Sequence, residues 1–227
     1  MNRKKLPIGI RSFSQMLEEN HLYVDKTAHI YKLIDEGKFY FLSRPRRFGK
    51  SLLVSTFKEL FEGRKELFKG LWIENSVWEW KPHPVVAIDF NGIDATNASI
   101  LETSLSLFLD KIARQHAISL KDSILVNKFV ALFSELNSKY REKIVVLIDE
   151  YDKPIVTHLG EGETALQIAR KNRDVLMKFL GVLKSEAVSE HLRFVFVTGV
   201  SKFSFAGVFS GLNNLQDLTG HSANHRP

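Results

Sequence analysis

The chain has 227 residues, a formal net charge of +6, 44% hydrophobic and 26% charged residues, 17 Phe and no Cys. That length suits one α/β domain, the aromatic content excludes a disordered chain, and the lack of Cys excludes disulfides, thiolate metal sites and Cys nucleophiles. The basic surplus points to a polyanionic partner (nucleotide, nucleic acid or acidic protein) or to a solvated lysine surface, while the absence of a signal-like h-region or of any roughly 18-residue apolar run leads us to expect cytoplasmic residence and no membrane partner.

Residues 8–36 read as short helices. Ser12 is placed to cap the first, with Phe13, Met16 and Leu17 on one face, and a second starts near Thr27, carries Ile30, Leu33 and Ile34, and stops at Gly37. The apolar run 39–42 predicts a buried strand, 43–48 a loop containing Pro45, and the spacing of Leu52, Leu53, Phe57, Leu60 and Phe61 a helix from Gly49 to Gly63. Residues 64–84 are mixed. A second strand is expected over 85–90, then helices over 99–115, with Leu101, Leu105, Leu107, Phe108 and Ile112 facing inward, and over 122–140, through Leu125, Phe129, Leu132, Phe133 and Leu136. A third strand over 144–148 ends in two carboxylates; a helix-rich stretch covers 163–189; a fourth strand, 194–197, ends at Thr198 and Gly199. Strands alternating with helices, each strand apolar on both sides, predict an α/β fold, a three-layer αβα sandwich with a mainly parallel sheet, which the Gly49-Lys-Ser51 string between the first strand and the following helix makes the P-loop NTPase type. Residues 1–37 are assigned as a helical lead-in, 38–219 as the core and 220–227 as a disordered tail.

Two strand ends carry chemistry. The string Arg44-Pro-Arg-Arg-Phe-Gly-Lys-Ser51 fits the phosphate-loop template G-x-x-x-x-G-K-[ST] at Gly49, Lys50 and Ser51, with Arg44 in place of the first Gly. Gly49 lets backbone approach an anion, the helix start aims free N–H groups at it, Lys50 can reach the β- and γ-phosphates, and Ser51 can ligate Mg²⁺. A non-Gly residue at φ > 0 costs about 1 kcal/mol, so the Arg44 position predicts another path for the loop, set by Pro45, or a weakened site. The candidate nucleotide-binding residues are Arg44, Pro45, Arg46, Arg47, Phe48, Gly49, Lys50, Ser51 and Leu52, the three arginines adding guanidinium groups beside the phosphates. At the end of the third strand, Asp149 is the candidate Mg²⁺ ligand with Ser51, and Glu150 the candidate base or water-orienting group. Asp152 is a possible helper, Tyr151 a packing or base-stacking residue, and Thr198 and Lys202 are further polar groups within reach of the γ-phosphate. Lys50, Asp149, Glu150 and Thr198 form the candidate catalytic set, ATP and Mg²⁺ the expected cofactors.

These segments resemble a known family. The strings at 8–13, 23–27, 41–52, 61–63, 67–71, 146–152, 199–203 and 209–215 are similar to those of the AAA-ATPase-like domain family, predicted AAA-type ATPases widespread in bacteria. The resemblance implies that Arg44 in place of Gly is ordinary, and that Asp25-Lys-Thr27 is a motif whose role is open between the nucleotide's vicinity and helix capping. It also implies a nuclease-like domain after the ATPase core, so a shortened C-terminus is expected, with neither a fifth core strand nor a region supplying an arginine finger read after Thr198. A homo-oligomer sharing sites is a further implication. A nucleotide-binding regulatory module without turnover, and a basic nucleic-acid-binding module, stay open as alternatives.

Overall fold

The computed structural model describes residues 4–202, 209 and 215–220. Five strands, β1 (Phe39–Ser43), β2 (Val85–Asp89), β3 (Ile144–Asp149), β4 (Leu192–Gly199) and β5 (Gln216–Asp217), form one sheet in the order β2-β3-β4-β1-β5, every neighbouring pair parallel. The helices are α1 (Phe13–Glu18), α2 (Thr27–Glu36), α3 (Lys50–Phe61), α4 (Ala98–Gln115), α5 (Leu125–Tyr140), α6 (Lys153–Val156), α7 (Glu163–Gly181) and α8 (Glu186–Ser189).

Strand residues alternate between two cores, as a period of two requires. Phe41, Val86, Ile88, Val146, Ile148, Val195 and Val197 pack beneath α4, α5 and α7. Tyr40, Val145, Leu147, Phe194 and Phe196 face the opposite core, with Phe57 and Leu60 of α3 and Phe13, Ile30 and Ile34 of α1 and α2. All six β3 residues are buried, which accounts for its unbroken apolar run. The three-layer sandwich expected from the sequence is therefore the fold, and α1 and α2 supply part of one helical layer. No helix among the described residues is long and apolar enough to cross a membrane.

Two expectations need correction. A fifth strand does follow Thr198: β5 pairs with Tyr40 and Phe41 of β1, but its two residues, Gln216 and Asp217, carry no apolar pattern. On α4, Leu107 is 61% exposed while Leu109 is fully buried. At about 100° per residue, a position two beyond Leu105 lies roughly 200° round the helix, so Leu107 cannot share its face. The motif Asp25-Lys-Thr27, whose role the sequence leaves open, forms a clasp at the start of α2: one Asp25 oxygen accepts from the Thr27 N–H (2.8 Å) and hydroxyl (2.7 Å), the other from Trp72 N–H (2.7 Å), and Thr27 Oγ1 accepts from Ile73 N–H (3.1 Å). The pair pins the 3₁₀ turn Trp72–Asn75 onto the start of α2. Of the expected tail at 220–227, Gly220 closes a 3₁₀ turn (Leu218–Gly220) and 221–227 lie outside the described residues.

Partial burial raises the Asp25 pKa, but the hydrogen bonds from Trp72 and Thr27 outweigh it and leave it below the usual value. A folded pKa below the unfolded one stabilises above the unfolded pKa, near 4, and that stabilisation is lost as pH falls through the folded value. Asp25→Ala is expected to lower unfolding stability at pH 7 by about 1–2 kcal/mol, and its difference from wild type to shrink below pH 4. Urea melts at pH 7 and pH 3 check both.

Candidate functional site

The turn from β1 into α3 solves the missing-glycine problem by moving its left-handed residues. Positive φ falls at Arg47 (67°) and Gly49 (76°), not at Arg44. Arg44 continues the strand, its N–H donating to Gly199 O (3.2 Å). Arg47 bears the cost of about 1 kcal/mol expected for a non-Gly residue there. Gly49 caps α3, and the first intrahelical bond runs from Leu53 N–H to Gly49 O (3.0 Å), so the N–H groups of Lys50, Ser51 and Leu52 precede it and point out of the helix start. Lys50 is 5% exposed; its ammonium donates back to the carbonyls of Arg44 (2.8 Å) and Pro45 (3.0 Å), bracing the loop from within.

Not all the loop residues face one way. Arg46, Arg47, Gly49, Lys50, Ser51 and Leu52 line a cleft of about 890 Å³; Arg44, Pro45 and Phe48 do not. The Arg44 guanidinium donates instead to Thr219 O, strapping the segment after β5, so the three arginines do not act together at the cleft. Phe48 is 67% exposed.

The end of β3 meets the same cleft. Glu150 lines it together with Lys50 and Ser51, and its backbone is left-handed (φ 51°). A strained non-Gly residue of this kind is characteristic of functional sites. Asp149 lies just behind, 4% exposed, and accepts a hydrogen bond from the hydroxyl of Thr198. Parallel register puts Thr198 beside it, because Ile148 pairs with Val197. Thr198 is fully buried and its Oγ1 also receives the Glu150 N–H (3.4 Å). It therefore holds both acids from behind instead of facing the cleft.

The next loop is locked. Asp152, 1% exposed, accepts from Val200 N–H (3.0 Å) and Ser201 N–H (2.6 Å). Burial raises its pKa, and the charge of Glu150 adds to that, against the pull of these N–H bonds. Tyr151 is fully buried, its ring against Phe41 and Phe209 and its hydroxyl donating to Ser201 O (2.7 Å), so it packs the core and does not present a face for base stacking. A methyl on Gly199 would collide with the Tyr151 ring and stand 2.9 Å from Asp152 Oδ1, which is why glycine ends β4. Lys202 pairs with Asp217 of β5 (2.8 Å), and its ammonium is engaged there.

The sequence reading missed three parts of the wall. The segment Pro7, Ile8, Gly9, Ile10 and Arg11 forms one side of the cleft, and Asn91 and Lys153 lie on the side of Glu150. The first segment has no periodicity, and Asn91 gives no signal beyond following a strand end. Among the described ionisable lining residues, Arg11, Arg46, Arg47, Lys50 and Lys153 stand against a single carboxylate, Glu150, a balance that suits a polyanion.

Asp149 and Ser51 also suit a magnesium ion. Both offer hard oxygens, and Mg²⁺ is ordinarily held by one or two protein oxygens with phosphate and water completing its shell. Asp149 forms no ion pair among the described residues, and a buried carboxylate that accepts there from a hydroxyl lacks a counter-charge. No cluster of three or more His, Cys, Asp or Glu suited to a metal occurs among the described residues, so any ion here would depend on the ligand for the rest of its shell.

Comparison with known proteins adds to this geometry. A family model described as "Predicted AAA-ATPase" (AAA-ATPase_like) matches residues 7–209. Over 221 residues the chain is 42% identical to the "Uncharacterized protein in vnfD 5'region" of Azotobacter chroococcum mcd 1, covering 96% of this chain and 42% of that protein, so the chain spans less than half the length of this relative. No solved structure matches the chain.

Proposed function

We propose that this chain, which belongs to the family of predicted AAA-ATPases, binds ATP with Mg²⁺ in the cleft between α3 and the end of β3 and hydrolyses its γ-phosphate. The observation that carries the reading is the convergence of Lys50, Ser51 and Glu150 on one cleft. The N–H groups at the start of α3 receive the phosphates, where the helix dipole favours negative charge. Lys50 exchanges its carbonyl partners for β- and γ-phosphate oxygens. Ser51 and Asp149 would hold the Mg²⁺, which neutralises phosphate charge when bound, and Thr198 fixes the orientation of Asp149. Glu150 orients a water in line with the γ-phosphorus and takes its proton. The water oxygen forms the new bond, and the bridging oxygen leaves with the electron pair as ADP.

Titration of the purified chain with ATP and Mg²⁺, together with phosphate release, tests the reading. Saturable ATP binding and steady phosphate release are expected, both reduced by chelating the Mg²⁺. Binding without release would leave a nucleotide-binding module. DNA binding that is indifferent to ATP and falls steeply with salt would favour a nucleic-acid module instead.

A further inference from the structure

On the side of the cleft away from the phosphate loop, a chain of three residues fixes one ammonium group. Asp89, at the end of β2, accepts from both the backbone N–H (2.8 Å) and the side-chain amide nitrogen (2.9 Å) of Asn91. These bonds settle which way the amide faces, and its carbonyl oxygen accepts from Lys153 Nζ (2.7 Å). Lys153 opens α6, one turn after Glu150, to whose carbonyl its N–H donates (3.0 Å). That helix is anchored from below: the fully buried Asn172 of α7 donates to Pro154 O (2.9 Å) and, across the loop after β2, to Ala95 O (2.8 Å). Lys153 and Asn91 both line the cleft with Lys50 and Glu150.

We propose that Lys153 is a second catalytic cation: it contacts the γ-phosphate from the Glu150 side and neutralises the charge spread over the transferring phosphoryl group, with Asn91 and Asp89 as positioning residues. This rests on the ATPase reading above. Three features carry it. The partner of Lys153 is a neutral amide, so its full positive charge is available to an anion, whereas Lys202 is already paired with Asp217. It reaches the cleft from the segment after β3, whereas Lys50 comes from the segment after β1, two strands away in the sheet, so the two ammonium groups are delivered to one cleft by different elements. The amide is held in place before any ligand arrives, and donors fixed in advance stabilise charge without the cost of reorganising. No proton moves through Lys153; it acts by charge alone.

The test compares ADP with ADP plus aluminium fluoride, a mimic of the transferring phosphoryl group, by calorimetric titration in Mg²⁺. Wild type is expected to bind the fluoride complex more tightly than ADP. Lys153→Ala should weaken the fluoride complex by about tenfold or more and lower phosphate release by about 10²-fold, with ADP affinity unchanged. Lys153→Arg keeps the charge and should recover most of both, and Asn91→Leu should fall in between, which a purely structural role for Lys153 does not predict. Equal binding of the fluoride complex by wild type and Lys153→Ala, both folded by circular dichroism, would overturn the proposal, as would a wild type that gains nothing from the fluoride. If wild type binds no ADP, or Lys50→Ala binds it as tightly, the ATPase reading itself fails. If Lys50→Ala and Glu150→Gln are impaired and Lys153→Ala is not, only the role of Lys153 falls.

Discussion

Glu150→Gln is expected to lower ATP turnover by about 10²–10⁴-fold, the range for removing a positioned general base, while leaving ATP affinity equal to or above that of wild type. Glutamine keeps the length and shape of the side chain but cannot take the water's proton. The backbone should not change, because the left-handed φ at this position costs Glu and Gln about the same, and the Glu150 N–H bond to Thr198 remains. Affinity can rise because Glu150 is the one carboxylate among the cleft's described ionisable lining residues, and removing its charge eases the approach of a triphosphate. Single-turnover phosphate release and equilibrium titration separate the two effects. A drop in affinity matching the drop in rate would mean that Glu150 binds nucleotide rather than activating water.

Lys50→Ala acts at the other step. Its ammonium is nearly buried and spans the carbonyls of Arg44 and Pro45, so the substitution removes both the cation for the phosphates and the brace inside the loop. Truncating one partner of a buried charge pair costs about 2–5 kcal/mol, and ATP affinity is expected to fall by about 10²–10³-fold, with turnover lost in parallel. Lys50→Arg should not restore it, since a planar guanidinium cannot donate back to two carbonyls of the same tight loop as a compact ammonium does. Fluorescent ATP titration gives the affinity, and thermal melts report the loop's contribution to stability.

The sequence spoke clearly wherever burial imposes a period. The β3 run and its carboxylates are legible because a central parallel strand is apolar on both faces, and α3 and α5 because their apolar stripes are regular. The phosphate loop was half legible: Lys50 and Ser51 could be placed, but not that the left-handed backbone falls at Arg47 or that Arg44 turns to Thr219, since a non-repeating turn encodes its path only through contacts remote in sequence. The same holds for Thr198, whose bond to Asp149 depends on β4 lying beside β3. Strand order is set by crossovers that local pattern does not reveal. Two residues of β5 are too few to show alternation. Asn91, Lys153 and the wall from Pro7 to Arg11 were hidden for the same reason: each is a loop or helix-end residue given its place by packing between layers.

The central claim is that one Mg²⁺–triphosphate is held jointly by the start of α3 and the end of β3. A crystal structure of the chain with Mg²⁺ and a non-hydrolysable ATP analogue tests it most directly. The account predicts phosphates on the N–H groups of Lys50, Ser51 and Leu52, the ion between Ser51 and Asp149, and Glu150 facing the terminal phosphate. An analogue bound elsewhere, or held at α3 with Asp149 and Glu150 out of reach of both ion and phosphate, would contradict it.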